Sequence, residues 1–177
     1  MILYSLPISN YCGKVLLVIR FKALECEVVP PKGGYGSDEY KRIVPTGTIP
    51  ALDHDGIIYS ESEVINEYLN EVFPEPNLLP RPAEQRAKIR MLCRLHDLKL
   101  ESIVRSLFPA MSPEKRDSEL VEKRFREMEQ SLEQLRGLIQ PGPFMFGNAP
   151  SLADCARSGK PWKRKLRNRY SRAKIWP

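Results

Sequence analysis

The sequence predicts an α/β domain followed by an all-helical domain, and three observations support this fold class. Short β-branched and aromatic segments first alternate with helical patterns. Residues 73–82 then hold four prolines in ten positions, which is typical of a semi-rigid linker. After this stretch, apolar residues recur at helical spacing. We therefore expect one domain at 1–76, a linker at 77–83 and a partial helical domain at 84–156.

The first domain should begin with a strand at 2–5, a helix at 12–22 and a second strand at 25–29. A short helix at 38–44 would end at Pro45. Because a helix connects the first two strands, the right-handed crossover rule makes those strands parallel.

Residues 46–69 are the stretch on which the first domain depends. A Gly-Thr-Ile-Pro turn leads into a strand at 50–52, and Asp-Gly at the next turn tolerates the positive φ of a tight hairpin. A returning strand follows at 57–59. Ser60 can then cap a helix whose first turn carries Glu61 and Glu63.

Two features of this stretch predict a slot for a small peptide. The bond before Pro50 can be cis, and Ile49 would then offer its N–H and C=O to a ligand lying alongside it like an added strand. The helix starting near Glu61 and Ser62 presents backbone N–H groups and a positive dipole end, which suit a carboxylate. The alternative is an ordinary hairpin and an ordinary capped helix.

The second domain is predicted from two long amphipathic helices. The first runs from 83 to about 107, with one stripe formed by Ile89, Leu92, Cys93, His96, Leu100 and Ile103. The second begins near Ser112-Pro113 and runs to 139. Ser151 and Asp154 form a capping-box variant that predicts a further, buried helix.

Composition narrows the class of protein. No apolar run approaches the roughly 18–20 residues of a membrane span, and the N-terminus lacks a signal-peptide pattern, so we expect a cytoplasmic location. The four cysteines have no metal-site spacing, and His54 stands beside Asp53 and Asp55 with no further ligand nearby. We therefore expect no metal cofactor.

The net charge of +6 comes from the end of the chain. Residues 157–177 hold nine of the 28 Lys and Arg residues and none of the 22 acidic residues, without apolar periodicity. This segment is expected to be a disordered basic tail, so the charge does not predict a nucleic-acid-binding domain.

Four motifs in order resemble the glutathione transferase superfamily, most closely its theta-, zeta- and beta-like classes, over about residues 1–156. They are Ser9-Asn10-Tyr11-Cys12, Thr46-Gly47-Thr48-Ile49-Pro50-Ala51-Leu52, Glu61-Ser62 with Ile65 and Tyr68-Leu69, and Gly147-Asn148 before Pro150-Ser151-Leu152-Ala153-Asp154. The resemblance implies a thioredoxin-like first domain and an all-helical second domain. It also implies glutathione as co-substrate.

The resemblance implies a role for each matched position of the slot. Ile49, before a cis Pro50, would pair with the cysteinyl backbone of glutathione. Glu61 and Ser62 would hold the γ-glutamyl amine and carboxylate. Thr48 stands where the family often has a longer polar residue that reaches the glycyl end.

The resemblance also implies that Ser9 activates the thiol of glutathione. A free thiol has a pKa of about 8.5 and is mostly protonated at neutral pH. A hydroxyl donor and the positive end of the following helix would favour the thiolate. Cys12 is either a small packing residue or the site of thiol–disulfide exchange, and Tyr11 is a second alternative activator.

The expected function is attack of activated glutathione on a small electrophile, or isomerisation of that electrophile. His96, Leu100 and Phe108 are candidates for lining the second-substrate pocket. The family resemblance implies a homodimer, with neither a membrane nor a nucleic acid as partner. A non-catalytic interaction protein of the same fold is the alternative.

In the family, the helix that begins at Ser151-Leu152-Ala153-Asp154 is central and further helices follow it. Here the pattern is lost after Ala156. One interpretation is a truncated or frame-shifted gene product whose second domain lacks part of its core. The other is a genuine variant with a basic arm that binds acidic surfaces.

Overall fold

The computed structural model describes residues 1–112, 117–140 and 142–156 of the 177-residue chain. The described residues belong to two compact units, Met1–Pro76 and Asn77–Ala156. The tail expected at 157–177 lies outside the described residues, as does Pro113.

The first unit is an α/β unit built on one four-stranded sheet. Its elements in chain order are β1 (Ile2–Tyr4), α1 (Asn10–Phe21), β2 (Glu27–Val29), α2 (Asp38–Lys41), β3 (Ala51–His54), β4 (Ile57–Ser60) and α3 (Ser62–Val72). The strand order is β2-β1-β3-β4. Strands β1 and β2 are parallel, whereas β3 pairs antiparallel with both β1 and β4. This mixed sheet confirms the predicted thioredoxin-like fold.

The central strands of the sheet are buried by apolar side chains. Leu3 of β1 lies opposite Leu52 of β3, and both are fully buried. A second cluster joins Tyr40, Val44 and Ala51 beneath the loop that precedes β3. In that loop Gly47 has φ 64°, and a Cβ there would lie 3.1 Å from Cγ of Lys41, so glycine suits both the backbone and the space.

Two helix starts differ from the sequence-based expectation. Helix α1 begins at Asn10 rather than at 12, because the Ser9 side chain serves as its N-cap. Helix α3 begins at Ser62, so Ser60 is not its cap. Ser60 instead ends β4, where it lies opposite Ala51, and Glu61 occupies the cap position with φ 71°.

The second unit is helical. Its elements are α4 (Ala83–Leu95), a π-helix (His96–Glu101), α5 (Ser102–Ser106), a 3₁₀ turn (Pro109–Met111), α6 (Ser118–Arg136) and α7 (Leu152–Ala156). Helix α7 packs on α4, and the backbone N–H of Leu152 donates to the Leu78 carbonyl at 3.0 Å. Over the part of the chain that the structure describes, no helix is long and apolar enough to cross a membrane.

The two long helices predicted for this unit differ from the structure in detail. The expected helix at 83–107 is helical from Ala83 to Ser106, but its residues His96–Glu101 form a π-helix with a wider turn. The expected helix at 112–139 is described from Ser118, because Asp117 has an extended backbone and its carboxylate accepts the N–H of Leu120 at 3.0 Å. The Asp117 cap therefore begins α6, and residues 113–116, on which the predicted start falls, lie outside the described part of the chain.

Candidate functional site

Ser9 lies at the start of α1 with its hydroxyl partly engaged. Its Oγ accepts a hydrogen bond from the Cys12 N–H at 3.3 Å. A serine hydroxyl that accepts such a bond still carries its own O–H hydrogen for donation. Ser9 is half-buried, whereas Cys12 is completely buried. Ser9 is therefore an available hydroxyl donor at a helix N-terminus, and Cys12 packs beneath it.

The Ile49–Pro50 peptide bond is cis. The carbonyl of the preceding Thr48 accepts a hydrogen bond from the Tyr40 phenol at 2.9 Å. Tyr40 is fully buried, and burial raises the pKa of its phenol well above the usual range, so the phenol remains a donor at any ordinary pH. Among the described residues, neither the N–H nor the C=O of Ile49 has a hydrogen-bond partner.

A chain of three hydroxyls links this loop to the end of β4. Thr46 Oγ1 lies 2.9 Å from Thr48 Oγ1 and 3.2 Å from Ser60 Oγ. Ser60 stands two residues before the start of α3. The cis-proline loop and the beginning of α3 are therefore adjacent in space as well as joined through the hairpin.

The start of α3 has an unusual backbone. Glu61 adopts φ 71° and its side chain makes no capping hydrogen bond to the helix. Ser62 is buried at 5% exposure, while Glu61 is exposed. The first N–H groups of a helix have no acceptor within the helix, and they carry the positive end of its dipole. This end suits a carboxylate, and the exposed Glu61 carboxylate suits an ammonium group.

A buried ion pair joins α1 to the same end of α3. Lys14 Nζ lies 2.9 Å from Glu63 Oε1, and the Lys14 side chain is fully buried. The ammonium also lies 5.4 Å from the centroid of the Tyr11 ring, within the range of a cation–π contact. Three separate segments, 9–14, 46–49 and 60–63, thus meet in the first unit.

His54 has a structural environment. Its Nδ1 lies 2.8 Å from the Tyr68 hydroxyl, and its ring packs against both Tyr68 and Phe73. In the described part of the chain, no cluster of three or more His, Cys, Asp or Glu side chains could hold a metal ion. His54 thus belongs to a small aromatic cluster at the end of β3.

The residues expected to line the second-substrate pocket all belong to the second unit. His96 begins the π-helix, with Nδ1 at 3.4 Å from Asp97 Oδ1, and Leu100 is half-buried within it. Phe108 is 37% exposed just before the 3₁₀ turn. Their role at a substrate pocket stays a prediction.

Sequence reasoning missed Tyr40 and Lys14. In the sequence, Tyr40 is an aromatic residue of a predicted short helix. Nothing in the sequence indicates that its hydroxyl bonds to the carbonyl of Thr48, eight residues further along. Lys14 stands beside the apolar Val15 in a predicted helix. A lysine is seldom fully buried unless it is paired, so this position could have suggested a buried ion pair.

Comparison with known proteins identifies similar chains for the first unit. The family model described as glutathione S-transferase, N-terminal domain, matches residues 3–77. Protein LigF from Sphingobium sp. is 44% identical over 94 residues, which are 50% of this chain and 37% of LigF. Maleylacetoacetate isomerase from Rattus norvegicus is 35% identical over 99 residues, which are 53% of this chain and 46% of that protein. This chain spans less than half the length of either relative.

Solved structures extend the likeness of fold beyond the first unit. The holo structure of a maleyl pyruvate isomerase, described as a bacterial glutathione S-transferase of the zeta class, superposes with a TM-score of 0.80. The match covers 94% of this chain and 84% of that chain at 24% identity, which supports a common fold.

Proposed function

This chain belongs to the glutathione S-transferase superfamily, and we propose that it activates the thiol of glutathione for attack on, or isomerisation of, a small electrophile. One observation carries the proposal. The half-buried Ser9 hydroxyl, the backbone of Thr48 and Ile49, and the beginning of α3 belong to segments that meet in one compact unit.

Glutathione fits this arrangement as an added strand. The free N–H and C=O of Ile49 would pair with the cysteinyl backbone of the ligand. The first N–H groups of α3, with the Ser62 hydroxyl, would hold the γ-glutamyl carboxylate, and Glu61 would hold the γ-glutamyl ammonium. Thr48 has a short side chain, so the glycyl end would depend mainly on backbone contacts.

The catalytic task is to keep the bound thiol ionised near neutral pH. The Ser9 hydroxyl would donate a hydrogen bond to the sulfur while its oxygen still accepts the Cys12 N–H. The start of α1 adds a favourable dipole. Each unit by which the thiol pKa falls corresponds to about 1.4 kcal/mol of preference for the thiolate.

The thiolate can then react in two ways. In conjugation, sulfur forms a bond to an electrophilic carbon, and a leaving group departs with the displaced electron pair. In isomerisation, sulfur adds to a conjugated cis alkene, the resulting single bond rotates, and elimination returns the trans alkene together with the free thiolate. Glutathione is consumed in the first reaction and regenerated in the second. The likeness to maleylacetoacetate isomerase supports including the second.

Cys12 has a packing role in this proposal. Its complete burial disfavours attack on an external disulfide, and the Tyr11 ring in the first turn of α1 packs against the Lys14 ammonium. These roles of Cys12 and Tyr11 leave Ser9 as the activating residue.

We also expect a two-fold dimer, which light scattering would test.

Initial rates would test the proposed function. Wild-type protein and Cys12→Ser are assayed with 1-chloro-2,4-dinitrobenzene for conjugation and with a maleyl-type cis-enedione acid for isomerisation, with and without glutathione. The proposal predicts glutathione-dependent turnover of one substrate class by both proteins. Glutathione binding without turnover would favour an interaction protein of this fold, and thiol transfer lost only in Cys12→Ser would favour the redox alternative.

A further inference from the structure

The Lys14–Glu63 ion pair connects the two ends of the proposed glutathione slot. Lys14 belongs to the second turn of α1, and Ser9 caps the start of the same helix. Glu63 belongs to the first turn of α3 and directly follows Ser62. The pair therefore reaches from the helix that carries the thiol activator to the helix end that receives a carboxylate.

Stability alone is a weak explanation for this pair. The Lys14 side chain is completely buried, while the Glu63 side chain is 28% exposed. Removing an ammonium group from water carries a desolvation penalty that often matches or exceeds the Coulombic gain from its partner. An apolar side chain at position 14 would fill the same space without this penalty. The buried charge of the Lys14 ammonium therefore requires an explanation other than packing.

The charges at the start of α3 supply that reason. Glu61 at the cap and Glu63 in the first turn place two carboxylates where the ligand would bring a third. Neighbouring carboxylates repel one another, so these charges disfavour binding of the ligand carboxylate, and the helix dipole offsets only part of the repulsion. The Glu61 carboxylate would be compensated by the ligand itself, because the γ-glutamyl group also carries an ammonium that can pair with it. Among the described residues, the Lys14 ammonium is the counter-charge that pairs with Glu63.

We propose that Lys14 is a positioning residue that neutralises Glu63 and so allows the start of α3 to accept the γ-glutamyl carboxylate. The inference rests on the proposed function and identifies what controls recognition of one end of the ligand. Lys14 acts through Glu63 and does not touch the reacting sulfur. Its effect should therefore depend on the ligand carboxylate and vanish when that group is absent.

Lys22 provides a matched control on the same helix. It is also buried, at 6% exposure, and caps the C-terminal end of α1. Its Nζ donates to the carbonyls of Phe73 at 2.6 Å and Pro76 at 2.8 Å. Lys22→Met thus removes a buried ammonium from α1 without changing the charge balance at Glu63.

The test compares two ligands by calorimetric titration. One is glutathione, and the other is γ-aminobutyryl-cysteinylglycine, which is the same tripeptide without the γ-glutamyl carboxylate. For Lys14→Met we expect glutathione affinity to fall about tenfold and the affinity of the analogue to change less than about twofold. Lys22→Met should lower thermal stability and leave both affinities unchanged. Lys14→Arg should retain glutathione binding.

A charge-removal rescue sharpens the test. Adding Glu63→Gln to Lys14→Met removes the uncompensated carboxylate and should restore glutathione affinity to within about threefold of wild type. Glu63→Gln alone keeps Lys14 and should strengthen the binding of glutathione but not of the analogue. This variant tests the inference even if Lys14→Met does not fold.

Other outcomes overturn the inference. Equal losses for both ligands in Lys14→Met, a double variant no better than Lys14→Met, or a loss of glutathione affinity in Glu63→Gln would each reduce the ion pair to a structural contact. Such results on a wild-type protein that binds glutathione would leave the proposed function standing. A folded wild-type protein that binds neither ligand would contradict the proposed function and this inference together.

Discussion

The Tyr40 phenol donates a hydrogen bond to the Thr48 carbonyl at 2.9 Å, immediately before the Ile49–Pro50 bond. Tyr40 is completely buried and its ring packs at 5.5 Å from that of Tyr4. The Tyr40 hydroxyl therefore fixes the Thr48 carbonyl from the inside, next to the Ile49 backbone that is proposed to pair with glutathione. On the outside, Thr46 links the same loop to β4.

Tyr40→Phe should loosen this loop. The substitution leaves the ring in place but removes the donor to the Thr48 carbonyl, so we expect a loss of about 1 kcal/mol in the free energy of unfolding. Glutathione affinity should fall by about threefold to tenfold, since the Ile49 backbone is less well positioned. Denaturant unfolding and calorimetry measure the two effects. Tyr4→Phe is the control, and an equal change in both variants would show that the hydrogen bond to Thr48 is unimportant.

Ser9→Ala should change the pH dependence of turnover. Loss of the hydroxyl donor raises the pKa of bound glutathione thiol, so the rate near pH 6.5 should fall about tenfold or more and recover as the pH approaches 9. The variant also loses the α1 cap, at a cost of about 1 kcal/mol of stability. Rate profiles between pH 6 and 9.5 measure the shift. A uniform loss at every pH would mean that Ser9 positions the ligand rather than ionising the thiol.

Cysteine labelling should distinguish packing from reactive thiols. Cys12, Cys93 and Cys155 are buried, whereas Cys26 is half-buried. Burial raises the pKa of the Cys26 thiol, so less of it is thiolate at pH 8 than in an unfolded chain. We expect slow alkylation of Cys26 in the folded protein that accelerates as the pH rises above 9, and fast alkylation of all four thiols in denaturant. Mass spectrometry of iodoacetamide-treated samples identifies the sites. Rapid modification of Cys12 in the folded protein would revive the thiol-exchange hypothesis.

Asn66 should be replaceable by leucine with a gain in stability. Its side chain is completely buried in α3, and neither of its amide atoms has a hydrogen-bond partner among the residues that the structure describes. Leucine has the same branched shape without a desolvation penalty, so Asn66→Leu should raise the free energy of unfolding by about 1 kcal/mol. Asn70→Leu, one turn further along α3, is the comparison because Asn70 has an interaction partner. A loss of stability in Asn66→Leu would contradict this expectation.

Most of the element order was predictable because its signals are local. The Asp55-Gly56 turn, the apolar periodicity of α1 and the proline before β3 each act within a few residues. The start of α3 was mispredicted because Ser60 is a good capping residue by type, and nothing in the sequence indicates that Glu61 adopts a left-handed backbone. The π-helix at His96–Glu101 was missed for a similar reason, since the segment contains neither glycine nor proline.

The site was predictable only in part, because its supporting contacts join distant residues. Ser9, Ile49 and Ser62 stand in motifs that can be read along the chain. Lys14 and Glu63 are 49 positions apart, and their pairing depends on how α1 packs against α3. A burial pattern can suggest that a lysine is paired, but it does not name the partner.

The most direct test of the central claim is calorimetric titration of glutathione into the purified, monodisperse protein and into Ser62→Ala. Ser131→Ala serves as the matched control, since Ser131 is similarly buried and its hydroxyl donates to the Glu127 carbonyl in the other unit. We predict saturable binding to wild type, a loss of about tenfold in affinity for Ser62→Ala, and no change for Ser131→Ala. A folded wild-type protein that takes up no glutathione, or a Ser62→Ala variant that binds as tightly as wild type, would contradict the proposed slot.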